Sequence, residues 1–165
     1  PLLPAAEVAD IAMSTPSTPA PEDPHEATSP LQGKLSTFYS VTGEVLGAGI
    51  NGKVKLAVNR QTGKSVAVKT FKVPEMSRRT SNDLSREVQI QASLQHPNVA
   101  RLETVFESSE HVHLLVEHLE GGEVFQHLLQ EGSFGESQAA RVIEQLLRAV
   151  EHVHAQGIAH RDIKP

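Results

Sequence analysis

The sequence predicts an α+β fold in which the strands of an antiparallel sheet come first and a long helix comes last. Two observations carry this prediction. Apolar and polar residues alternate after a glycine-rich turn at residues 47–52, and this is the period of a half-buried strand. Towards the end of the chain, apolar residues recur at intervals of three and four, which is the period of a helix with one apolar face.

Composition limits the class of protein. The chain has 165 residues, of which 38% are hydrophobic and 21% are charged, and it has no apolar run long enough to span a bilayer. A net charge of −5 with scattered Lys and Arg argues against a nucleic-acid-binding face. The absence of Cys excludes thiolate chemistry within these residues and permits a cytoplasmic location as well as a nuclear one. Because the chain begins at Pro1 rather than Met, we expect a fragment of a longer protein.

Residues 1–38 are predicted to be a disordered tail. They are rich in Pro, Ser, Thr, Ala and acidic residues, and they hold too few apolar side chains to offset the entropy of ordering the backbone. Ser or Thr precedes Pro at Thr15, Thr18 and Ser29, which would suit proline-directed phosphorylation, but such dipeptides arise by chance in this composition. We therefore interpret the segment as a linker, with order beginning near Phe38.

Three strands are predicted next. Val41, Val45 and Leu46 start the first strand, the alternating stretch after Gly52 forms the second, and turn residues at positions 59–63 separate it from a third. A helix follows, with Leu84, Val88 and Leu94 on one face and Thr80, Ser81 or Asn82 as its N-cap. Two further strands are predicted at residues 99–106 and 111–117. A short helix at residues 124–129 and a long helix at residues 136–155, which stops at Gly157, complete the order.

Five motifs resemble those of one family in the same order. A G-x-G-x-x-G turn alone also occurs in dinucleotide-binding folds, but there a helix follows, whereas here a strand follows. The turn and the V-A-V-K strand that ends at Lys69 resemble the glycine-rich loop and lysine strand of protein kinases. Glu87 in the predicted helix, G-G-E at residues 121–123 and H-R-D-I-K-P at residues 160–165 complete the set. The last motif is similar to the corresponding motif of serine/threonine kinases. The G-G-E motif and the H-P-N motif are similar to those of the calcium/calmodulin-dependent group, which includes calcium-dependent protein kinases.

The resemblance implies a kinase small lobe with a five-stranded antiparallel sheet and one helix, followed by the first helices of a truncated large lobe. We expect the small lobe at about residues 39–117, the hinge at about 117–122 and the start of the large lobe at about 123–165. The implied function is ATP-dependent phosphoryl transfer to Ser or Thr of protein substrates. This group would allow a protein substrate with basic residues near the phosphorylated position. It would also allow regulation by calcium or calmodulin.

The resemblance also implies roles for individual residues. Lys69 would hold the α- and β-phosphates, and Glu87 would fix its ammonium group. Asp162 would accept the proton of the substrate hydroxyl, while Lys164 would offset charge on the γ-phosphate. Magnesium would accompany ATP, and the ligands that the family uses for it would follow residue 165. No metal ligand is therefore assigned within the chain.

The nucleotide would lie against the glycine turn and the hinge. Backbone amides of the turn would cover the phosphates, four apolar side chains would wall the adenine with Val116 as gatekeeper, and Glu123 would reach the ribose. The edge of the adenine would bond to the backbone of Glu117 and Leu119. The full expected set is Leu46, Gly47, Ala48, Gly49, Ile50, Asn51, Gly52, Lys53, Val54, Ala67, Lys69, Val116, Glu117, Leu119 and Glu123.

Two residues depart from the family pattern. Asn51 stands where an aromatic residue is common at the tip of the glycine turn, and Gln91 replaces a leucine one turn after Glu87. These departures keep open an alternative function as a pseudokinase or nucleotide-binding scaffold. An independent interaction module is disfavoured, because the long helix would expose its stripe of Leu146, Leu147 and Val150. The nine His residues do not suggest zinc, since their spacing places no third ligand.

Overall fold

The structure is a computed structural model that describes residues 30–49 and 52–163. Backbone contacts divide these residues into two compact units. The sheet unit holds the described residues up to Ser93 together with Arg101–His118, and the helical unit holds Leu94–Ala100 and the described residues from Leu119 onwards. The expected tail at residues 1–29, together with Ile50, Asn51, Lys164 and Pro165, lies outside the described residues.

The sheet unit contains six described strands and two α-helices. The strands are β1 (Leu31–Gln32), β2 (Tyr39–Gly49), β3 (Gly52–Asn59), β4 (Ser65–Lys72), β5 (Leu102–Glu107) and β6 (His111–Glu117), and the helices are α1 (Leu35–Phe38) and α2 (Arg78–Ser93). Across the sheet the order is β1-β5-β6-β4-β3-β2. Strands β2 to β6 pair antiparallel, which confirms the predicted five-stranded sheet, and β1 adds a short parallel pairing with β5.

The core of the sheet unit explains why its central strands are so apolar. Strand β4 lies between β3 and β6 in the sheet, and it carries buried side chains on both of its faces. One face packs into a cluster made by six buried residues, namely Leu35, Ala57, Val66, Val68, Phe106 and Leu115. The opposite face of β4 carries Lys69 and Phe71, which are also buried. That second face is where the predicted lysine lies.

The start of α2 corrects one sequence-based prediction. The helix begins at Arg78, before all three residues that we expected as N-cap. The hydroxyl oxygen of Ser77 accepts a hydrogen bond from the backbone N–H of Thr80 at 3.1 Å, so Ser77 does the work expected of Thr80, Ser81 or Asn82. The helix also ends at Ser93, which leaves Leu94 in the following loop rather than on the helix face.

The residues just before Phe38 also differ from expectation. We predicted a disordered tail up to residue 38, whereas the structure has β1 and α1 within it. Leu35 is only 7% exposed because it packs into the sheet cluster. Two leucines in a polar segment, Leu31 and Leu35, give no sustained periodic signal, so this long-range contact could not be read from the sequence. Strand β5 likewise begins at Leu102 rather than residue 99.

The helical unit is built on α3 (Val124–Glu131) and α4 (Glu136–Ala155). The bounds of α4 match the prediction, and its end is set by Gly157, which has φ of +72°. Ala149 and Val153 on α4 are buried, while Leu147 is 62% exposed. The expected apolar stripe is thus partly buried and partly exposed, since Leu146 and Val150 are half-buried. No described helix combines the length and apolar character needed to cross a bilayer.

Candidate active site

The register of the sheet connects the glycine turn to the lysine strand. Gly47 on β2 pairs with Val54 on β3, and Val54 pairs in turn with Lys69 on β4. These three residues therefore form one cross-strand row, and directly opposed residues in such a row lie on the same face of the sheet. The row places Lys69 two strands away from the start of the glycine turn.

Lys69 is paired with a carboxylate from α2. Its Nζ lies 3.8 Å from Oε1 of Glu87, and the side chains of Lys69 and Glu87 are 8% and 21% exposed. Nζ also lies 5.2 Å from the centre of the Phe71 ring, close enough for a cation–π attraction. A buried ammonium needs such partners, because leaving its charge unpaired in the interior would be costly. The ion pair thus orients the one buried cation of the described residues.

The glycine turn is open to an anion. Gly49 pairs with Gly52 where the hairpin reverses, and Gly52 has φ of +109°, a conformation that favours glycine. A Cβ atom built on Gly47 or Gly52 would meet no atom within 4 Å. Backbone groups along this turn can therefore be approached closely, as phosphate binding requires. Ala48 and Lys53 pair across the hairpin, and Ile50 and Asn51 at its tip lie outside the described residues.

The apolar residues expected around adenine lie on neighbouring strands. Ala67 on β4 pairs with Val116 on β6, and Val116 is 6% exposed. Val54 is half-buried, whereas Leu46 on β2 is more open at 37% exposed. The backbone N–H of Glu117 donates to the carbonyl oxygen of Arg101 at 2.9 Å. The Glu117 N–H is therefore already bonded within the protein.

The helical unit carries the other predicted site residues. Leu119 is half-buried, and Glu123 is the exposed N-cap residue of α3, where its carboxylate makes no capping hydrogen bond. Asp162 is half-buried, and its backbone N–H donates to Nδ1 of His160 at 3.3 Å. Lys164 lies outside the described residues.

Two features of the site were not anticipated. Arg161 has φ of +68°, which makes it the one non-glycine residue of the described chain with positive φ. Such a conformation costs about 1 to 3 kcal/mol and is concentrated at functional sites. Phe71 beneath Lys69 was also missed, although its position two residues after the lysine on the same strand was a readable signal.

Gln91 was singled out by sequence, and the structure gives it a physical meaning. It is 7% exposed on α2, one turn after Glu87, and its Oε1 has no hydrogen-bond partner among the described residues. Such an acceptor loses its bonds to water without replacement, at a cost of about 1 to 3 kcal/mol. The helix that holds Glu87 therefore carries an energetic penalty close to the ion pair.

Four of the nine histidines form two stacked pairs. His111 and His113 stack on β6 with ring centres 5.7 Å apart, and Nδ1 of His113 is 2.9 Å from the hydroxyl of Thr70. His96 and His152 stack in the helical unit at 5.1 Å. Within the described part of the chain, no three His, Cys, Asp or Glu side chains are grouped to hold a metal ion.

Known proteins are similar to this chain in sequence. Three relatives are a probable myosin light chain kinase of Dictyostelium discoideum (38% identical over 134 residues, 81% of this chain), calcium-dependent protein kinase 12 of Arabidopsis thaliana (38% over 125 residues, 74%) and calcium/calmodulin-dependent protein kinase type 1 of Macrobrachium nipponense (37% over 123 residues, 74%). The chain spans 38%, 26% and 35% of their respective lengths.

A solved structure is similar in fold as well. The crystal structure of residues 1–466 of Rad53 in complex with AMP-PNP superposes with a TM-score of 0.69 at 32% identity, over 79% of this chain and 34% of that one. The sequence profile of the protein kinase domain matches residues 40–165. The chain therefore belongs to the protein kinase domain family, in which its relatives are serine/threonine kinases of the calcium/calmodulin-dependent type.

Proposed function

We propose that the full protein transfers the γ-phosphoryl group of ATP to Ser or Thr of protein substrates. The observation that carries the proposal is the row from Gly47 through Val54 to Lys69, with Glu87 beside the lysine. The row joins an open glycine turn to a buried, ion-paired cation on one face of the sheet. These are the two devices that hold the phosphates in kinases, where catalysis is mostly positioning and charge stabilisation.

The sheet unit would bind the nucleotide. Its Lys69 ammonium would neutralise the α- and β-phosphates, and Glu87 would prevent this flexible side chain from turning away. The Ala67–Val116 pair and Val54 offer an apolar surface for adenine, and the Glu117 carbonyl would accept a hydrogen bond from its amino group. Mg²⁺, when bound, supplies further neutralisation of the phosphates, and none of the described residues is proposed as its ligand.

The helical unit would supply the chemistry at the substrate. The Asp162 carboxylate would accept the proton of the Ser or Thr hydroxyl as the hydroxyl oxygen bonds to the γ-phosphorus. In the same step the bond between the γ-phosphorus and the β-phosphate oxygen would break. The strained backbone at Arg161 immediately precedes this carboxylate and would fix its direction. Lys164 would offset charge on the phosphoryl group in transit.

Further proposals concern substrate recognition, regulation, location and the bounds of the lobes. The Glu123 carboxylate is exposed and makes no capping bond, so it would be free to meet the ribose or an arginine upstream of the phosphorylated residue. The relatives named above support calcium or calmodulin as regulators. We propose that the protein acts in the cytoplasm, and that residues 39–117, 117–122 and 123–165 are the small lobe, hinge and start of the large lobe.

Phosphate transfer from radiolabelled ATP to a basic Ser/Thr peptide tests the proposal in the full-length protein. We expect Lys69→Met to lower kcat/KM by about a hundredfold or more, because a buried charge on the phosphates is lost. Lys55→Met removes an exposed lysine from neighbouring strand β3 and is the matched control. No transfer by the wild type, or equal transfer by both variants, would reject the proposed function.

A further inference from the structure

A segment outside the family match crosses one face of the sheet. The kinase profile begins at residue 40, whereas residues 31–38 already form β1 and α1. Strand β1 pairs with β5 at one edge of the sheet, and Tyr39 immediately after α1 pairs with Asn59 at the other edge. We call residues 31–38 the strap, because they connect the two edges across the face of the sheet.

The strap is packed rather than merely adjacent. Leu35 is 7% exposed and lies in the cluster that includes Ala57, Val68 and Phe106, which come from three different strands. The rings of Phe38 and Tyr39 lie 5.7 Å and 6.0 Å from that of Phe106. The burial of Leu35 and the contacts of Phe38 and Tyr39 with Phe106 stabilise the strap against the sheet.

Arg60 ties the strap to the hairpin that carries the glycine turn. Its backbone N–H donates to the carbonyl oxygen of Phe38 at 2.8 Å, and its Nε donates to the carbonyl oxygen of Ser36 at 3.0 Å. Arg60 directly follows Asn59, the last residue of β3. The strap therefore grips the β2–β3 hairpin at the end opposite to its glycine turn.

This grip matters because β2 has a neighbouring strand on one side only. It is an edge strand of the described sheet, paired with β3, and Val41 and Val45 on it are 42% and 45% exposed. Its register with β3 shifts between Val41 and Val45 and again between Val45 and Gly47. Across the first shift, the Thr42 hydroxyl donates to the Leu56 carbonyl at 3.0 Å. An edge strand whose register is interrupted twice between its base and the glycine turn gains positional support from its base.

We propose that the strap positions the glycine turn for ATP, with Leu35 of the strap and Arg60 at the base of the hairpin as the positioning residues. The inference rests on the proposed function for its substrate, but it adds a determinant of nucleotide affinity that lies outside the family match. Neither residue touches the nucleotide in this account. Both act through the base of the β2–β3 hairpin.

Two measurements on the full-length protein test the strap. The first is the steady-state KM for ATP and kcat of Arg60→Ala, which removes the Nε bond from an exposed side chain. We expect KM to rise about two- to fivefold while kcat changes less than about twofold, the pattern of lost binding without lost chemistry. Gln61→Ala shortens an exposed side chain in the same turn and should change neither value. Leu35→Ala should raise KM further, and Leu35→Met should restore it.

The second measurement is hydrogen exchange without nucleotide, which does not depend on ATP binding. Arg60→Ala should exchange faster than Gln61→Ala in the amides of β2 and β3 but not in those of β6. Faster exchange together with no ATP binding by any of the proteins would keep the strap and reject the proposed function. Unchanged exchange of Arg60→Ala in β2 and β3 would overturn the inference. So would a fall in kcat of Arg60→Ala equal to its fall in kcat/KM. Both outcomes apply even if Leu35→Ala fails to fold.

Discussion

Lys69 shows how burial and charge are reconciled at the scale of one residue. Its side chain is 8% exposed, yet the nearest carboxylate oxygen, on Glu87, is 3.8 Å away, which is too long for a hydrogen bond. The ammonium is therefore attracted by the carboxylate and by the Phe71 ring without being fully saturated by either. An ammonium held in this way retains hydrogen-bonding capacity for a phosphate.

Gln91 provides a prediction at the same scale. Gln91→Leu should raise the free energy of unfolding by about 1 to 3 kcal/mol, because it removes an unsatisfied buried amide and adds apolar burial. Gln89→Leu makes the same change at an exposed position of α2 and should have little effect. Denaturant unfolding of the full-length variants measures both. A larger loss of stability with Gln91→Leu than with Gln89→Leu would mean that Gln91 is satisfied by a group outside the described residues.

His96 makes the stability of the helical unit depend on pH. Desolvation lowers the pKa of His96 below its usual 6.5, and the charges of His152 and Arg148 lower it further. Its Nδ1 accepts the backbone N–H of Asn98 at 3.1 Å, a bond that requires this nitrogen to be unprotonated. Since the folded pKa is the lower one, the stabilising contribution is complete above 6.5 and is lost as pH falls through 6.5 towards the folded pKa.

The corresponding prediction compares two histidine variants. Between about pH 7.5 and 5.5 the wild type should lose more unfolding free energy than His96→Asn, which keeps an acceptor near the position of Nδ1 but does not titrate. His154→Asn, at an exposed position of α4, should retain the wild-type slope. Burial and the neighbouring His111 also lower the pKa of His113, but this contribution is common to all three proteins. Equal slopes for the wild type and His96→Asn would contradict the assignment.

At the scale of elements, α4 presents an apolar surface. Ile143 and Leu147 are 51% and 62% exposed, and Ala139 and Ala140 lie on the same surface. Exposed apolar patches of this kind favour association. We expect the 165-residue chain to elute larger than a monomer in size-exclusion chromatography, and Leu147→Lys to shift it towards the monomer. Leu129→Lys on α3, where Leu129 is 64% exposed, is the control. An unchanged elution volume for Leu147→Lys would exclude this surface.

The sequence predicted elements with strong local signals and missed those that depend on distant contacts. Strand β6 and helix α4 have the predicted bounds, because one is centred on the apolar run from Leu114 to Val116 and the other has a sustained helical period. The five antiparallel strands followed from alternation and turn residues. The strap was missed because Leu35 is buried by residues from four other strands, and no local pattern records that contact.

The candidate site was predictable to the same extent. The spacing of motifs in the family identified Lys69 and Glu87 from the sequence, because motifs that bind phosphate have fixed local chemistry. The structure then places Nζ of Lys69 3.8 Å from Oε1 of Glu87. Their distance, the missing partner of Gln91 Oε1 and the positive φ of Arg161 depend on packing and backbone geometry, so they required coordinates. The ligand roles of the predicted residues stay predictions.

At the scale of the whole molecule, the chain matches the protein kinase domain over residues 40–165. It covers 38% of its Dictyostelium relative, and the profile of the family continues to its last residue. The sheet unit holds the buried lysine and glycine turn, and the helical unit holds Asp162. Under the proposed function, substitutions at Lys69 and Asp162 would test binding and chemistry separately, and these two residues belong to different units.

The most direct test of the account measures phosphoryl transfer and ATP affinity together in full-length Asp162→Asn. Asparagine keeps the size of the side chain but cannot accept the hydroxyl proton, so kcat should fall by about a hundred- to ten-thousandfold while the affinity for ATP stays within about twofold. Asp83→Asn, at an exposed position of α2, should retain wild-type values of both. Undiminished transfer by Asp162→Asn would contradict the account, because the proton would then be accepted by another group.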